Sequence, residues 1–280
     1  MVFSKGGFVA VPVGVAARIL RIPIVTHDSD AVPGLANRIL GRWAVIHATG
    51  QPIAYYPYPR ASTIHVGIPI SQDVKKVSLE DQAGFKKELG VPTTSQLLFV
   101  AGGGNGARTI NQLLNSAAPG LLRNNQSLYI VHLTGQVHEA AVKEEYKSML
   151  GEFELERVRV LGFTNDFYKY VGAADLIISR AGATVLEEFA VSAKACIIIP
   201  SPFLAGGHQL KNAEELMKHD AAVVIGNEIQ ADELVAVIDE LLTNNTRRLE
   251  LAKNLNVIAK PGAAVKLAEI ILKIATKQGV

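Results

Sequence analysis

The chain has 280 residues and a mass of 30.0 kDa, which is long for one domain and comfortable for two. Its residues are 49% hydrophobic and 19% charged, which excludes a disordered chain, because this much apolar surface offsets the entropy of ordering. A net charge of +2, from 28 basic and 26 acidic residues, is too balanced for a nucleic-acid binder, and a single cysteine excludes a disulfide framework and suits a reducing compartment.

Aromatic residues make up only 6% of the chain, beside 24 glycines. The core must therefore be built from Val, Ile, Leu and Ala, as in parallel α/β sheets covered by helices on both faces. The first apolar stretch, Phe8 to Ala17, follows Lys5 and ends on Ala16-Ala17, a pattern a signal peptide also shows. Pro12 and Gly14 interrupt the run and Arg18 and Arg21 follow it at once, so a cytosolic chain is expected. No segment reaches the roughly 18 consecutive apolar residues of a membrane span.

Short apolar runs then alternate with amphipathic segments. Strands are predicted over Ile24–His27, Ala44–Ala48, Leu97–Ala101, Leu128–Leu133, Arg157–Leu161, Leu176–Ser179, Cys196–Pro200 and Ala222–Ile225. Helices are predicted over Ala31–Leu40, Glu80–Leu89, Ala107–Ala118, Val137–Leu150, Thr184–Ser192, His208–His219, Ala231–Leu242, Arg247–Asn256 and Ala263–Lys277. Such alternation implies parallel βαβ units. Pro52, Pro57, Pro59 and Pro69 make Gly50 to Pro69 the least regular stretch, a linker or an edge. A domain boundary near Gly67–Asp73 gives a partial first domain over residues 1–70 and a complete second one over 71–280, with the last helix free to pack back on the first. A doubly wound unit as short as the first cannot cover its sheet, so its beginning is expected to be missing.

Three loops carry chemistry. In the first, the strand to Ala101 runs into Gly102-Gly103-Gly104-Asn105-Gly106-Ala107-Arg108. Glycines allow close backbone approach, and the N–H groups of the following helix start favour an anion, usually phosphate. Gly102, Gly104 and Ala107 also fit the dinucleotide fingerprint, but the next strand ends His132-Leu133-Thr134-Gly135 without the carboxylate that NAD requires. No Gly-Lys-Ser/Thr follows, so it is not a P-loop. In the second loop, Ser179-Arg180-Ala181-Gly182-Ala183-Thr184-Val185-Leu186-Glu187-Glu188 again leads from a strand into a helix. Glu188 there could accept hydrogen bonds from a ribose diol, or be an exposed first-turn acid favoured by the helix dipole. The third loop runs from Pro200 to Ala213, through His208, Gln209 and Asn212. All three lie at C-terminal strand ends, where open α/β sheets bind ligands.

Gly102–Arg108, Phe163-Thr164-Asn165-Asp166, Arg180–Glu188 and His208–Ala213 resemble the sugar-nucleotide-binding half of the MurG family, the UDP-N-acetylglucosamine transferases of peptidoglycan synthesis. Upstream, Gly6-Gly7-Phe8-Val9, Gly14–Pro23, His27-Asp28-Ser29-Asp30, Pro33–Arg38 and Gly67-Ile68-Pro69 extend the likeness over nearly the whole chain. The resemblance implies two Rossmann-like domains of the GT-B type, the first truncated, and inverting transfer of GlcNAc from UDP-GlcNAc to a lipid-linked muramyl pentapeptide at the inner face of the cell membrane. It implies no cofactor and no metal. By that likeness Glu188 binds the ribose hydroxyls, and Ala183 to Glu188, that is Ala183, Thr184, Val185, Leu186, Glu187 and Glu188, form the helix start at the nucleotide. Thr164 meets the uracil through its backbone beside Phe163, Gln209 binds the GlcNAc hydroxyls, and Gly104, Asn105 and Gly106 face the diphosphate. Gly103, Arg180, Gly182 and Asn212 complete the implied donor site.

The departures are informative. A serine usual in the family is Gly104 here, the H-E-Q-N motif reads His27-Asp28-Ser29-Asp30, so that Asp30 stands where an asparagine contacts the sugar nucleotide, and an expected arginine is Ser71. About the first quarter of the usual enzyme, with its G-G-T-G-G-H loop, is expected to be absent. No catalytic base is identified: His27 is a weak candidate, the alternative being a strand-end histidine satisfied by backbone. Asp28-Ser29-Asp30 matches the D-x-D metal signature, but its acceptor-side position argues against a metal. The rival reading is a donor-binding subunit or remnant that needs a missing N-terminal segment or a complementary chain. On either reading UDP binding should survive in this chain alone and turnover should be very low.

Overall fold

The computed structural model describes residues 1–104, 106–202 and 207–276. Two parallel sheets carry the fold. The first joins β1 (Val2–Ser4), β2 (Ile24–Asp28), β3 (Ala44–Thr49) and β4 (Thr63–His65) in that spatial order. The second has six strands: β5 (Gln96–Ala101), β6 (Leu128–Leu133), β7 (Val158–Leu161), β8 (Leu176–Ser179), β9 (Cys196–Ile198) and β10 (Val223–Val224). Their order is β10-β9-β8-β5-β6-β7, so the chain reverses direction across the sheet between β5 and β8. Leu97, Leu98, Phe99 and Val100 of β5 are all fully buried, as expected where helices cover both faces.

The helices are α1 (Ala10–Ile19), α2 (Leu35–Leu40), α3 (Leu79–Glu88), α4 (Arg108–Asn124), α5 (Glu139–Met149), α6 (Glu152–Leu155), α7 (Phe167–Ala173), α8 (Ala183–Ser192), α9 (His208–Lys218), α10 (Ala231–Thr243), α11 (Asn245–Ile258) and α12 (Ala263–Thr276). The predicted end of the last, Lys277, lies outside the described residues.

Several elements differ from expectation, each for a physical reason. The stretch weighed as a leader forms α1. Pro12 falls in its first turn, where a missing N–H costs little, and Gly14 is where Leu40 of α2 packs, since a Cβ there would lie 2.2 Å from Leu40 Cδ2. Helix α2 starts four residues late, because Pro33-Gly34 keep the preceding chain extended. Helix α4 continues through Pro119. Leu121 and Leu122 are fully buried in its last turns, and Arg157 caps the end through Leu122 O and Asn125 O at 3.0 and 2.8 Å. Burial there outweighs the one lost helix bond. Thr63–His65, within the proline-rich stretch, is a fourth strand at the sheet edge, where flanking prolines are tolerated.

The last helix crosses back to the first sheet. Leu267 packs with Ala48 and Val66, and Ile270 and Ile271 lie against them. No helix among the described residues is long and apolar enough to cross a membrane.

Candidate active-site cleft

The C-terminal ends of β2, β5, β8 and β9 face one cleft between the two sheets. After β5, the chain turns on Gly102, Gly103 and Gly106. Gly106 has φ +74°, and a Cβ on it would meet Thr134 O at 1.9 Å, so this position admits only glycine. Its N–H donates to Gly103 O at 2.9 Å. The turn delivers the chain to the start of α4. Asn105 lies outside the described residues, as do residues 203–206 of the third loop.

Two cavities meet at the start of α8. One, of about 270 Å³, is lined by Gly103, Gly104, Phe163, Thr164, Thr184, Val185 and Glu188, with Leu133, Gly162 and Phe167 behind them. The other, of about 240 Å³, is lined by Ser29, Asp30, Gly103, Arg180, Gly182, Ala183, Thr184, Val185, His208 and Gln209. Gly182 is the extended residue before α8. The first N–H groups of that helix have no carbonyl one turn back to bond, so the helix start is an anion-favouring point between the cavities.

Glu188 reaches the first cavity with no hydrogen-bond partner among the described residues. Burial pushes its carboxyl up to about 7, because a charge removed from water without compensation is disfavoured. Glu187, one residue earlier, points to the other side of α8. Its Oε1 accepts from Lys260 N–H at 2.7 Å, and with Leu186 it lines a third cavity, of about 380 Å³, together with His65, Glu215 and His219. The helix rotation separates the adjacent acids.

The remaining polar candidates are partly engaged by the protein itself. Arg180 is buried and donates to Ile199 O at 2.9 Å and Asn227 Oδ1 at 2.6 Å. Gln209 Oε1 accepts from Ser201 N–H at 2.8 Å. Thr164 Oγ1 accepts from Asp166 N–H at 3.0 Å, which fixes the Phe163–Thr164 turn, while Phe163 stays exposed. Asn212 faces the third cavity and bonds Asp30, Ala31 and Ala181 rather than opening on the first two.

On the opposite wall, His27 is 0% exposed, and its Nε2 lies 2.9 Å from Gly67 O. Burial pushes it down to about 4, so it is neutral, and it lines neither of the two cavities at α8. Asp28 is also spent internally. Its Oδ1 accepts from Gly34 N–H and Asn37 Nδ2, and its Oδ2 from Tyr58 Oη at 2.8 Å. That carboxylate holds its own loop instead of presenting a D-x-D pair. Tyr56 Oη donates to Asp30 O at 2.7 Å. These tyrosines support the cleft from the stretch read as a linker or an edge. Three tyrosines among prolines were visible, but nothing local tied them to Asp28 or Asp30, 26 to 30 residues away.

A profile for the glycosyltransferase family 28 C-terminal domain matches residues 97–267, and one for the family 28 N-terminal domain matches residues 1–47. The UDP-N-acetylglucosamine–N-acetylmuramyl-(pentapeptide) pyrophosphoryl-undecaprenol N-acetylglucosamine transferase of Citrifermentans bemidjiense is 34% identical over 265 residues, which are 94% of this chain and 71% of that protein. The enzyme of the same name from Listeria monocytogenes serovar 1/2a is 32% identical over 98% of this chain and 74% of its own. The crystal structure of Acinetobacter baumannii MurG superposes with a TM-score of 0.74 at 26% identity, covering 97% of this chain and 72% of that one. A Neisseria meningitidis UDP-GlcNAc 2-epimerase bound to UDP-GlcNAc shares the fold, with a TM-score of 0.67 at 12% identity, covering 97% of this chain and 75% of its own. The chain therefore belongs to glycosyltransferase family 28, among the N-acetylglucosamine transferases that the MurG family comprises.

Proposed function

We propose that this chain is a UDP-GlcNAc-dependent hexosyltransferase that moves GlcNAc to a lipid-linked muramyl pentapeptide, with inversion, in peptidoglycan synthesis. The observation that carries this reading is Glu188. It is a carboxylate with no hydrogen-bond partner among the described residues, facing a cavity closed by a glycine turn, a helix start and the Phe163–Thr164 turn. That set suits a nucleoside diphosphate: Glu188 for the ribose diol, Phe163 and the Thr164 backbone for the base, and the α8 start with Gly103 and Gly104 for the diphosphate. Pre-aligned N–H groups stabilise the departing UDP without reorganisation. Gln209 and Asp30 both line the adjoining cavity, which supports assigning them to the sugar.

Calorimetry with UDP tests the reading. Binding in the micromolar to millimolar range is expected, with Glu188→Ala weakening it by about 1–3 kcal/mol, the value of hydrogen bonds to a charged group. Equal affinity for both proteins would remove Glu188 from the site.

The acceptor side is proposed to rest on the inner membrane surface. Helix α1 and its flanks expose Phe8, Val9, Val13, Ile19 and Leu20 beside Arg18 and Arg21. Apolar side chains and cations together suit anionic lipid, each cation adding about 1 kcal/mol. Co-sedimentation that is the same on neutral and anionic vesicles would refute this face.

A further inference from the structure

On the second sheet, at the strand ends remote from the cleft, a cavity of about 600 Å³ opens between α3 and α11. Its charged lining is Lys76, Lys194, Arg248 and Lys253 against one carboxylate, Asp175. That carboxylate is already engaged. Lys86 Nζ lies 2.6 Å from its Oδ2, Leu97 N–H donates to the same oxygen at 2.7 Å, and Gln82 Nε2 donates to Oδ1 at 3.1 Å.

Lys194 is 7% exposed, and its Nζ donates to the Ala174 carbonyl at 3.0 Å. Lys86, also buried, sets a second positive charge near it. Burial pushes Lys194 down to about 8. Lys86, Lys194 and Arg248 thus share one acid, while Lys76 and Lys253 are exposed at the rim. A buried ammonium calls for a counter-charge, and the protein places too few carboxylates here to supply it. We infer that this cavity binds a multivalent phosphate anion at a site separate from the nucleotide cleft. Lysines act as point charges toward phosphate oxygens, and an anion held here would tie α3 to α11 and stabilise the folded chain by mass action.

The test is calorimetry of the full chain with inorganic pyrophosphate as the probe, run with the cleft saturated by UDP. A binding isotherm should persist under UDP. The double variant Lys76→Glu/Lys253→Glu, which changes only exposed side chains, should weaken it about tenfold or more through reversed Coulomb attraction, with UDP affinity unchanged. Lys194→Gln should weaken it as well, with a thermal melt confirming that the variant is folded. Loss of the pyrophosphate isotherm once UDP saturates, or equal affinity in the double variant, would overturn the site. If UDP itself does not bind, the donor reading falls, while the dependence on Lys76 and Lys253 still decides this one. Because a lipid headgroup offers the same chemistry, phosphatidylglycerol vesicles form a second arm: displacement of bound pyrophosphate by vesicles assigns the phosphate to a headgroup, and no displacement assigns it to a free anion.

Discussion

Asn212 of α9 and Asp30 after β2 join the two halves of the molecule across the cleft. Asn212 Nδ2 donates to Asp30 Oδ1 at 3.0 Å and to Ala181 O at 3.0 Å, and its Oδ1 accepts from Ala31 N–H at 3.1 Å. One amide thus links the loop after β2 to the loop before α8. Its neighbour Gln209, one turn earlier on the same helix, lines the cavity beside Asp30.

Asn212→Ala should destabilise the chain. It leaves the Ala31 N–H and the Ala181 carbonyl without their partner, and an unsatisfied buried polar group costs about 1–3 kcal/mol. The melting temperature should fall by roughly 2–4 °C for each kcal/mol lost. An unchanged melting temperature and an unchanged donor KM would show that this amide does not hold the halves together.

Glu188 sets a pH dependence with a defined sign. Its carboxyl titrates at about 7 in the folded protein against an ordinary 4.5. Between those values the folded state keeps a proton that the unfolded state releases, so stability falls as pH rises through this window. Glu188→Gln should then stabilise the unliganded protein by about 1–3 kcal/mol near pH 8 and leave it unchanged near pH 4. A ribose diol donating to the carboxylate favours the charged form, so UDP affinity should weaken as pH falls from about 8 to 6. The Gln variant carries the same phosphate titration and serves as the control. Identical pH profiles for both proteins would rule out Glu188 as the titrating ligand.

Much of this arrangement was legible in the sequence, because it is written in local signals. The run Leu97–Ala101, its glycine turn and α4 follow from apolar continuity ending on glycines, and Leu176–Ser179 into α8 repeats the logic. What was hidden depends on distant partners. Asn212 meets Asp30 across 182 residues, so a side chain read as a sugar-nucleotide contact is engaged between the two halves. Glu187 and Glu188 look equivalent in the chain and are separated only by the helix rotation that aims one at Lys260. The helix expected to end at Ala118 runs on through Pro119, because burial of Leu121 and Leu122 beyond it decides the boundary.

Cys196 should be chemically silent. It lies in β9 at 0% exposure, and burial pushes its thiol up to about 12. Nucleophilic attack requires the thiolate. Iodoacetamide near pH 8 should leave the native chain unlabelled and modify it only in denaturant, as mass spectrometry will show. Rapid labelling of the native protein would mean that β9 opens far more readily than a central strand should.

The glycine turn gives the sharpest contrast, because neighbouring glycines face opposite constraints. Gly106 has φ +74° and no room, its Cβ position being 1.9 Å from Thr134 O. Gly106→Ala must therefore displace either the turn or the end of β6, and it should lower stability by more than about 1 kcal/mol, as Ala does at positive φ, with UDP binding largely lost. A Cβ at Gly104, by contrast, meets nothing within 4 Å, and this residue lines the cavity that holds Glu188. The family resemblance puts a serine there. Gly104→Ser should fold like the parent and add a hydroxyl donor toward the diphosphate, tightening UDP by about 0.5–1.5 kcal/mol, the net value of one such hydrogen bond. Uridine, which lacks the phosphates, should bind both proteins equally. If Gly104→Ser tightens uridine as much as UDP, or tightens neither, the glycine turn does not face the diphosphate.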